Sequence, residues 1–265
     1  MRNIRESARA SAAIVSQSDL PCSSYTTEEA YPHDPQAFTQ GLFVRGEFLY
    51  ESTGWWGRSS VRKVRLADGE VIEQSVLSRS EFGEGLAPWG DYIVSLTWRD
   101  KVAYRWSIDN LQLIERTAYP YEAWGMTQNG EHLIVSDGSP VIRFLDPLSL
   151  EECRRIHVAA SGRALRYIND LEWVAGELWA NIFYTDLIAR ICPESGELLG
   201  WVDLTGLRGL VRAEPHQHML NGLAYDPVAG CLYVTGKNWP AVFKLSTSCL
   251  PDPKSAYVSR PCELI

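Results

Sequence analysis

The sequence predicts an all-β fold, a five-bladed β-propeller, from its composition, an internal repeat and the way the repeat closes. Ten Trp, twelve Tyr and 20 Gly in 265 residues, without long apolar helical stripes, favour strands. Apolar anchors recur as Leu49-Tyr50, Ile93-Val94, Leu133-Ile134, Leu178-Trp179 and Leu232-Tyr233, at spacings of 44, 40, 45 and 54 residues. A period of about 40–45 residues with about four short strands per unit is the signature of propeller blades. Closing the ring needs one more strand, and YTTEEAY (25–31) is read as the outer strand of the last blade, covering an open edge. A pair of β-sandwiches does not explain an in-register repeat.

Each unit follows the same order. The anchor strand leads through a turn into a strand carrying one basic residue: Lys63, Arg105, Arg143, Arg190 and Lys244 fall in one column. A repeated charge reads as pairing between blades. Turns such as ADGE (67–70), DPLS (146–149) and PESGE (193–197) follow, then strands such as VIEQSVL (71–77), LQLIERT (111–117) and LLGWVDL (198–204). The longest gap holds TGLRGLVRAEPHQHML (205–220), read as an insertion over one face with a short helix. Residues 1–20 read as a flexible tail and 21–265 as a single propeller domain.

A net charge of −8 argues against nucleic acid and anionic membranes as partners. No apolar run approaches the roughly 18–20 residues of a membrane helix. No signal peptide is visible in MRNIRESARASAAIVSQSDL, whose longest apolar run is AAIV, and the compartment stays open. The six Cys (Cys22, Cys153, Cys192, Cys231, Cys249, Cys262) form no CxxC pair and are read as buried free thiols, with a disulfide between the two chain ends as the alternative. Of the five His, only His216 and His218 are spaced to share a metal, and no Cys or carboxylate motif accompanies them, so no metal site is expected. No GxSxG nucleophile, P-loop or GxGxxG motif occurs.

The chemistry concentrates in two repeat columns. Before each anchor comes Gln40, Glu84, Trp124, Asn169 or Asn221, followed by Gly in all but one case. The innermost strand of a blade lines the axis, so this column becomes a ring at one mouth, and the glycines let backbones approach closely there. A packing column would be small or apolar; this one holds four polar groups and an indole. Four residues after each anchor come Gly54, Trp98, Gly138, Phe183 and Lys237, where a hairpin returns to the same face. A carboxylate, an ammonium, amides and aromatic walls together suit a small-ligand pocket. The alternatives are structural: Glu84 as a buried hydrogen-bonding strut, the Trp as core, and Asn169 and Asn221 as backbone bridges. Lys237 points more sharply to function, because Lys is seldom buried without a partner.

The motifs YPHDPQAFTQGL, YESTGWWGRSSVRKV, EFGEGL, AWGM, SDGS, INDLEWVAGELWANIFYTDLIARI, LNGLAYD and LYVTGKNWP, in order from Tyr31 to Leu245, resemble the plant- and bacterial-type glutaminyl cyclases, or glutamine cyclotransferases. The resemblance implies a five-bladed propeller that converts N-terminal Gln of peptides into pyroglutamate with release of ammonia, without the catalytic zinc of the animal enzymes. It matches Glu84 to the family's proton-transfer acid, Phe38 and Gln40 to AFTQGL, Trp98 and Trp124 to site tryptophans, Asn169 to LNELE and Lys237 to TGK. Phe183 stands where the family usually has Trp, and Asp170 where it has Glu. These departures bear on substrate preference and rate. The expected catalytic set is Glu84, Lys237, Asn169 and Gln40, and the substrate-binding set Phe38, Trp98, Trp124, Phe183 and Asn221. Expected partners are peptides or proteins with N-terminal Gln, and the expected state is a monomer with no cofactor. Family members are often secreted or periplasmic. The competing readings are a non-catalytic propeller binding peptides or glycans, and a metal-dependent lactonase-type propeller.

Overall fold

A computed structural model of the chain describes residues 19–212 and 218–250, together with Ala13. The first strand, β1 (Cys22–Ser23), runs into β2 (Tyr25–Pro32). The first blade is β3 (Thr39–Arg45), β4 (Phe48–Thr53), β5 (Ser60–Arg65) and β6 (Val71–Val76). The second is β7 (Gly83–Trp89), β8 (Tyr92–Thr97), β9 (Val102–Ser107) and β10 (Leu113–Ala118). The third is β11 (Met126–Gln128), β12 (Leu133–Ser136), β13 (Val141–Leu145) and β14 (Glu152–His157). A small hairpin, β15 (Ala159–Ala160) with β16 (Arg163–Ala164), leads to the fourth blade: β17 (Ile168–Val174), β18 (Glu177–Ile182), β19 (Leu187–Ile191) and β20 (Leu198–Asp203). The fifth is β21 (Leu220–Asp226), β22 (Cys231–Gly236) and β23 (Ala241–Thr247).

The ring closes as the sequence predicts. β2 pairs antiparallel with β23 and supplies the outer strand of the fifth blade, while β1 pairs parallel with β20 on the outside of the fourth. The insertion carries the expected short helix, Thr205–Leu210. The predicted tail lies almost wholly outside the described residues, as do His216 and Cys262.

A propeller buries the faces of its sheets against neighbouring blades, so each junction needs its own core. Five hydrophobic clusters meet that need, one per junction. Between blades one and two, for example, Phe43, Tyr50 and Val61 pack on Leu86, Ile93 and Tyr104. The anchor residues fall in these clusters because the second strand of each blade is covered on both faces.

Two expectations are corrected. The basic column pairs mostly within its own blade, not between blades: Arg143 with Asp137 and Glu152, Arg190 with Glu177, Arg105 with Glu115, and Lys244 with Glu28. A cross-strand neighbour lies about 5 Å away, whereas the next sheet lies about 10 Å away. Arg105 also reaches the next blade, through the carbonyls of Pro147 and Leu148, as does Arg190 through Cys249. The five described cysteines are thiols, as expected, but only Cys192 and Cys231 are buried; Cys22 and Cys153 are exposed and Cys249 is half-buried.

Candidate active site

β-bulges present the mouth residues. Four of the five innermost strands slip register at the predicted column: around Gln40, at Glu84-Gly85, at Asn169-Asp170 and at Asn221-Gly222. A bulge sets two residues against one and re-aims a side chain, which is why bulges gather beside active sites. In the third blade the inner strand starts only after Trp124-Gly125.

These segments are tied to one another around the axis. Ser52 Oγ donates to the Glu84 carbonyl, Gly85 N donates to the Trp124 carbonyl (2.9 Å), and Ser136 Oγ donates to the Asn169 carbonyl (2.7 Å). Leu223 N donates to Asp170 Oδ2 (3.0 Å), and Asn221 Nδ2 donates to the carbonyls of Thr39 (3.0 Å) and Gln40 (3.1 Å). At least one hydrogen bond thus crosses every blade junction. The glycine after Glu84 has a steric cause: a Cβ on Gly85 would lie 2.4 Å from Met126 N and 2.6 Å from the Gly125 carbonyl carbon. Glu84 is held where two backbones nearly touch.

The side chains above this ring form a closed wall. Lys237 Nζ lies 4.6 Å from the Phe38 ring centroid and 5.9 Å from that of Phe183. Phe183 meets Trp124 edge-on (5.6 Å). Trp124 Nε1 (2.9 Å) and Trp98 Nε1 (2.7 Å) both donate to Glu122 Oε1. Trp98 packs on Phe82 (5.7 Å), and Phe82 on Phe38 (6.3 Å), completing the circuit. Gly138, a glycine of the second column, is vacant for the same wall: a Cβ there would lie 2.7 Å from the Trp124 ring.

Lys237 is 2 % exposed and donates to the Thr39 carbonyl (3.0 Å) and to Gln40 Oε1. Holding Oε1 turns the Gln40 amide so that its NH2 is the group left to donate. Burial lowers the Lys237 pKa from 10.5 to about 8, against the pull of Glu84 and Asp170. Burial raises the Glu84 carboxyl well above 4.5; Lys237 opposes that rise, while Glu122 and Asp170 add to it. Asp170 is likewise raised by burial, despite hydrogen bonds from the amides of Leu223 and Leu171. No hydrogen bond to the Glu84 carboxyl is present among the described residues. Asp170 Oδ1, Asn221 Oδ1 and both polar atoms of the Asn181 side chain are also buried without partners among the described residues. Buried polar atoms of this kind are normally met by water or ligand.

All nine sequence-predicted site residues therefore belong to one mouth. Asn221 acts there on the backbone of the neighbouring blade, the bridging role the sequence left open. Glu122, Phe82, Asn181 and the exposed pair Trp55 and Trp56 escaped the columns. Trp55-Trp56 had a signal, since two indoles in a Gly-flanked turn are costly to expose. Glu122 had none beyond its place two residues before Trp124. At the opposite end of the axis a cavity of about 410 Å³ is lined mainly by apolar side chains such as Phe43, Pro88 and Trp173, and Glu172 there accepts from Tyr225 N and Thr127 Oγ1.

Comparison with known proteins agrees with this geometry. A family model described as glutamine cyclotransferase matches residues 3–247. A glutaminyl-peptide cyclotransferase from Arabidopsis thaliana is 36 % identical over 236 residues, covering 88 % of this chain and 74 % of its own. The crystal structure of Myxococcus xanthus glutaminyl cyclase superposes with a TM-score of 0.81 at 29 % identity, covering 86 % of this chain and 98 % of that one. With the blade count and the mouth, these matches establish that the chain is a five-bladed propeller belonging to the glutamine cyclotransferase family.

Proposed function

We propose that the chain is a glutaminyl-peptide cyclotransferase that closes N-terminal Gln of peptides to pyroglutamate, releases ammonia and needs no metal. The observation that carries this is a buried carboxyl with a raised pKa facing a buried ammonium inside a ring of aromatic side chains, in a chain of this family.

The reaction joins the peptide's α-nitrogen to its own side-chain amide carbon and breaks the bond from that carbon to the amide nitrogen. The α-amine has an ordinary pKa of about 7.7–8.0, so part of it is neutral near pH 8. Phe38, Trp98, Trp124 and Phe183 enclose the side chain and hold it folded, so that attack is intramolecular. Glu84 accepts the proton that the attacking nitrogen sheds and passes one to the departing nitrogen. A carboxyl tuned upward by burial can do both near neutrality. Lys237 and the Gln40 amide donate to the oxygen as it becomes negative, with Asn169 beside them. The charges balance: one proton leaves the amine, one arrives on ammonia, and Glu84 ends as it began.

The metal-free part of the proposal has a direct test. Among the described residues no group of three or more His, Cys, Asp or Glu could hold an ion. Ammonia release from a short peptide with N-terminal Gln, measured in EDTA, tests this directly; activity that disappears with the chelator and returns with a divalent cation would overturn the metal-free reading.

Two further outcomes follow from the geometry. kcat/KM should rise as the substrate amine deprotonates at about 7.7–8.0 and fall as Lys237 loses its proton at about 8, giving a narrow bell centred near pH 8. A plateau extending beyond pH 10 would remove Lys237 from the donor role. Glu122→Ala should free both indole N–H groups and loosen the wall, costing about 1–3 kcal/mol of substrate positioning and raising KM roughly 5- to 150-fold. An unchanged KM with intact fluorescence of Trp98 and Trp124 would show that Glu122 does not position them.

A further inference from the structure

Beside the mouth, between the first and fifth blades, runs a groove of about 820 Å³. That is the size of a site for a ligand larger than one amino acid. Its inner end is bounded by Phe38, Met219 and Asn238, which adjoin Lys237: Phe38 carries the ammonium on its ring, and the Met219 carbonyl accepts Lys237 N (2.8 Å). Its outer end is bounded by Trp55, Arg58 and Gln74. Trp55 is 49 % exposed, packs edge-on against Phe38 (5.3 Å) and is held at a φ of 106°. An exposed indole in a left-handed backbone conformation is a costly arrangement that calls for a use.

The groove also carries an arginine that has no ion pair among the described residues. Asp34 and Arg62 also line the groove and belong to a network: His33 contacts Glu51 (3.1 Å), Arg62 pairs with Glu51 and with Asp34 (2.8 Å), and Thr39 Oγ1 donates to Glu51 (2.6 Å). Burial lowers the His33 pKa, and Glu51 more than offsets this, so the net direction is upward. Arg58, exposed on the groove wall, has no ion pair among the described residues. In a chain of net charge −8, that leaves Arg58 as the groove-lining arginine without a carboxylate partner among the described residues, in a groove that shares Phe38 with the mouth.

We infer that this groove receives the part of the peptide following its N-terminal Gln, and that Arg58 selects chains with an acidic side chain within the first three residues after it, Trp55 serving as an apolar shelf. The inference rests on the cyclase reading above. L-glutaminamide reports the chemistry alone, whereas Gln-Ala-Glu-amide and Gln-Ala-Lys-amide add the groove. Wild type should favour the acidic peptide by roughly fivefold in kcat/KM at low salt, and less as salt rises. Arg58→Glu should invert that preference and leave turnover of L-glutaminamide unchanged. Calorimetric binding of the corresponding pyroglutamyl peptides separates the two readings. A protein that binds the acidic product through Arg58 yet cyclises nothing would sink the cyclase and keep the groove. Equal binding and equal turnover of both peptides by wild type and Arg58→Glu would overturn the groove while leaving the cyclase in place.

Discussion

Glu84→Gln should lower kcat by about 10²–10⁴-fold, the range that general acid–base groups supply, while the protein stays folded. Gln occupies nearly the same volume and can still donate and accept, but it cannot carry a proton between two nitrogens. Stability should move the other way. The folded-state pKa of Glu84 lies well above 4.5, so above pH 4.5 the folded protein holds a proton that the unfolded chain has released. The stabilisation from this group is therefore complete below about pH 4.5 and is lost as pH rises through the folded pKa. Removing the ionisable group removes that loss. Glu84→Gln should match wild type in Tm at pH 4 and exceed it increasingly at pH 8. Ammonia release, together with thermal melts at both pH values, decides the matter. Turnover within threefold of wild type would end the proton-transfer assignment, and a lower Tm at pH 8 would mean that Glu84 is a strut.

Lys237→Met should cost about 10²–10³-fold in kcat, as expected for one donor aimed at a developing oxyanion. The side chain also holds the Thr39 carbonyl and the Gln40 amide, so loss of activity alone is ambiguous between chemistry and architecture. The pH dependence of stability resolves this. In the folded protein Lys237 gives up its proton at about 8, against an ordinary value of 10.5. Between those values the unfolded chain binds the extra proton, so this group makes the fold more stable as pH rises. Lys237→Met should lack that increment and retain a single cooperative melt. A folded variant that lacks the increment but keeps wild-type kcat would show that the buried ammonium serves the fold only.

The blade count, the closing strand and the mouth were legible in the sequence for one reason. A propeller repeats, and a repeat puts equivalent residues at equal height around the axis. Gln40, Glu84, Trp124, Asn169 and Asn221 could be aligned by counting back from an apolar anchor, and Trp98, Phe183 and Lys237 by counting forward. The family matches agree with that architecture. What does not repeat was not legible. Glu122 lies in a connection unique to the junction of the second and third blades, and only the fold brings its carboxylate to two indoles from different blades. The basic column showed the limit from the other side. Its periodicity was visible, but its partners lay on adjacent strands of the same sheet, and a linear pattern does not distinguish the neighbouring strand from the neighbouring blade.

The sequence by itself determined the ring, its number of blades and the residue types at its mouth, because these follow from the period and from the apolar residues that each blade must bury. Tertiary structure alone decided the electrostatics. Glu84 and Lys237 lie 153 positions apart in the chain, and each takes its altered proton affinity from how completely the surrounding blades exclude water, with the charge of the other as a counterweight. It also decided that Arg58 stands without an ion pair among the described residues on a groove that shares Phe38 with the mouth, while Arg62, four residues later on the same groove, is paired with Glu51 and Asp34. Desolvation and ion pairing depend on distances in space, and those exist only after the ring has closed.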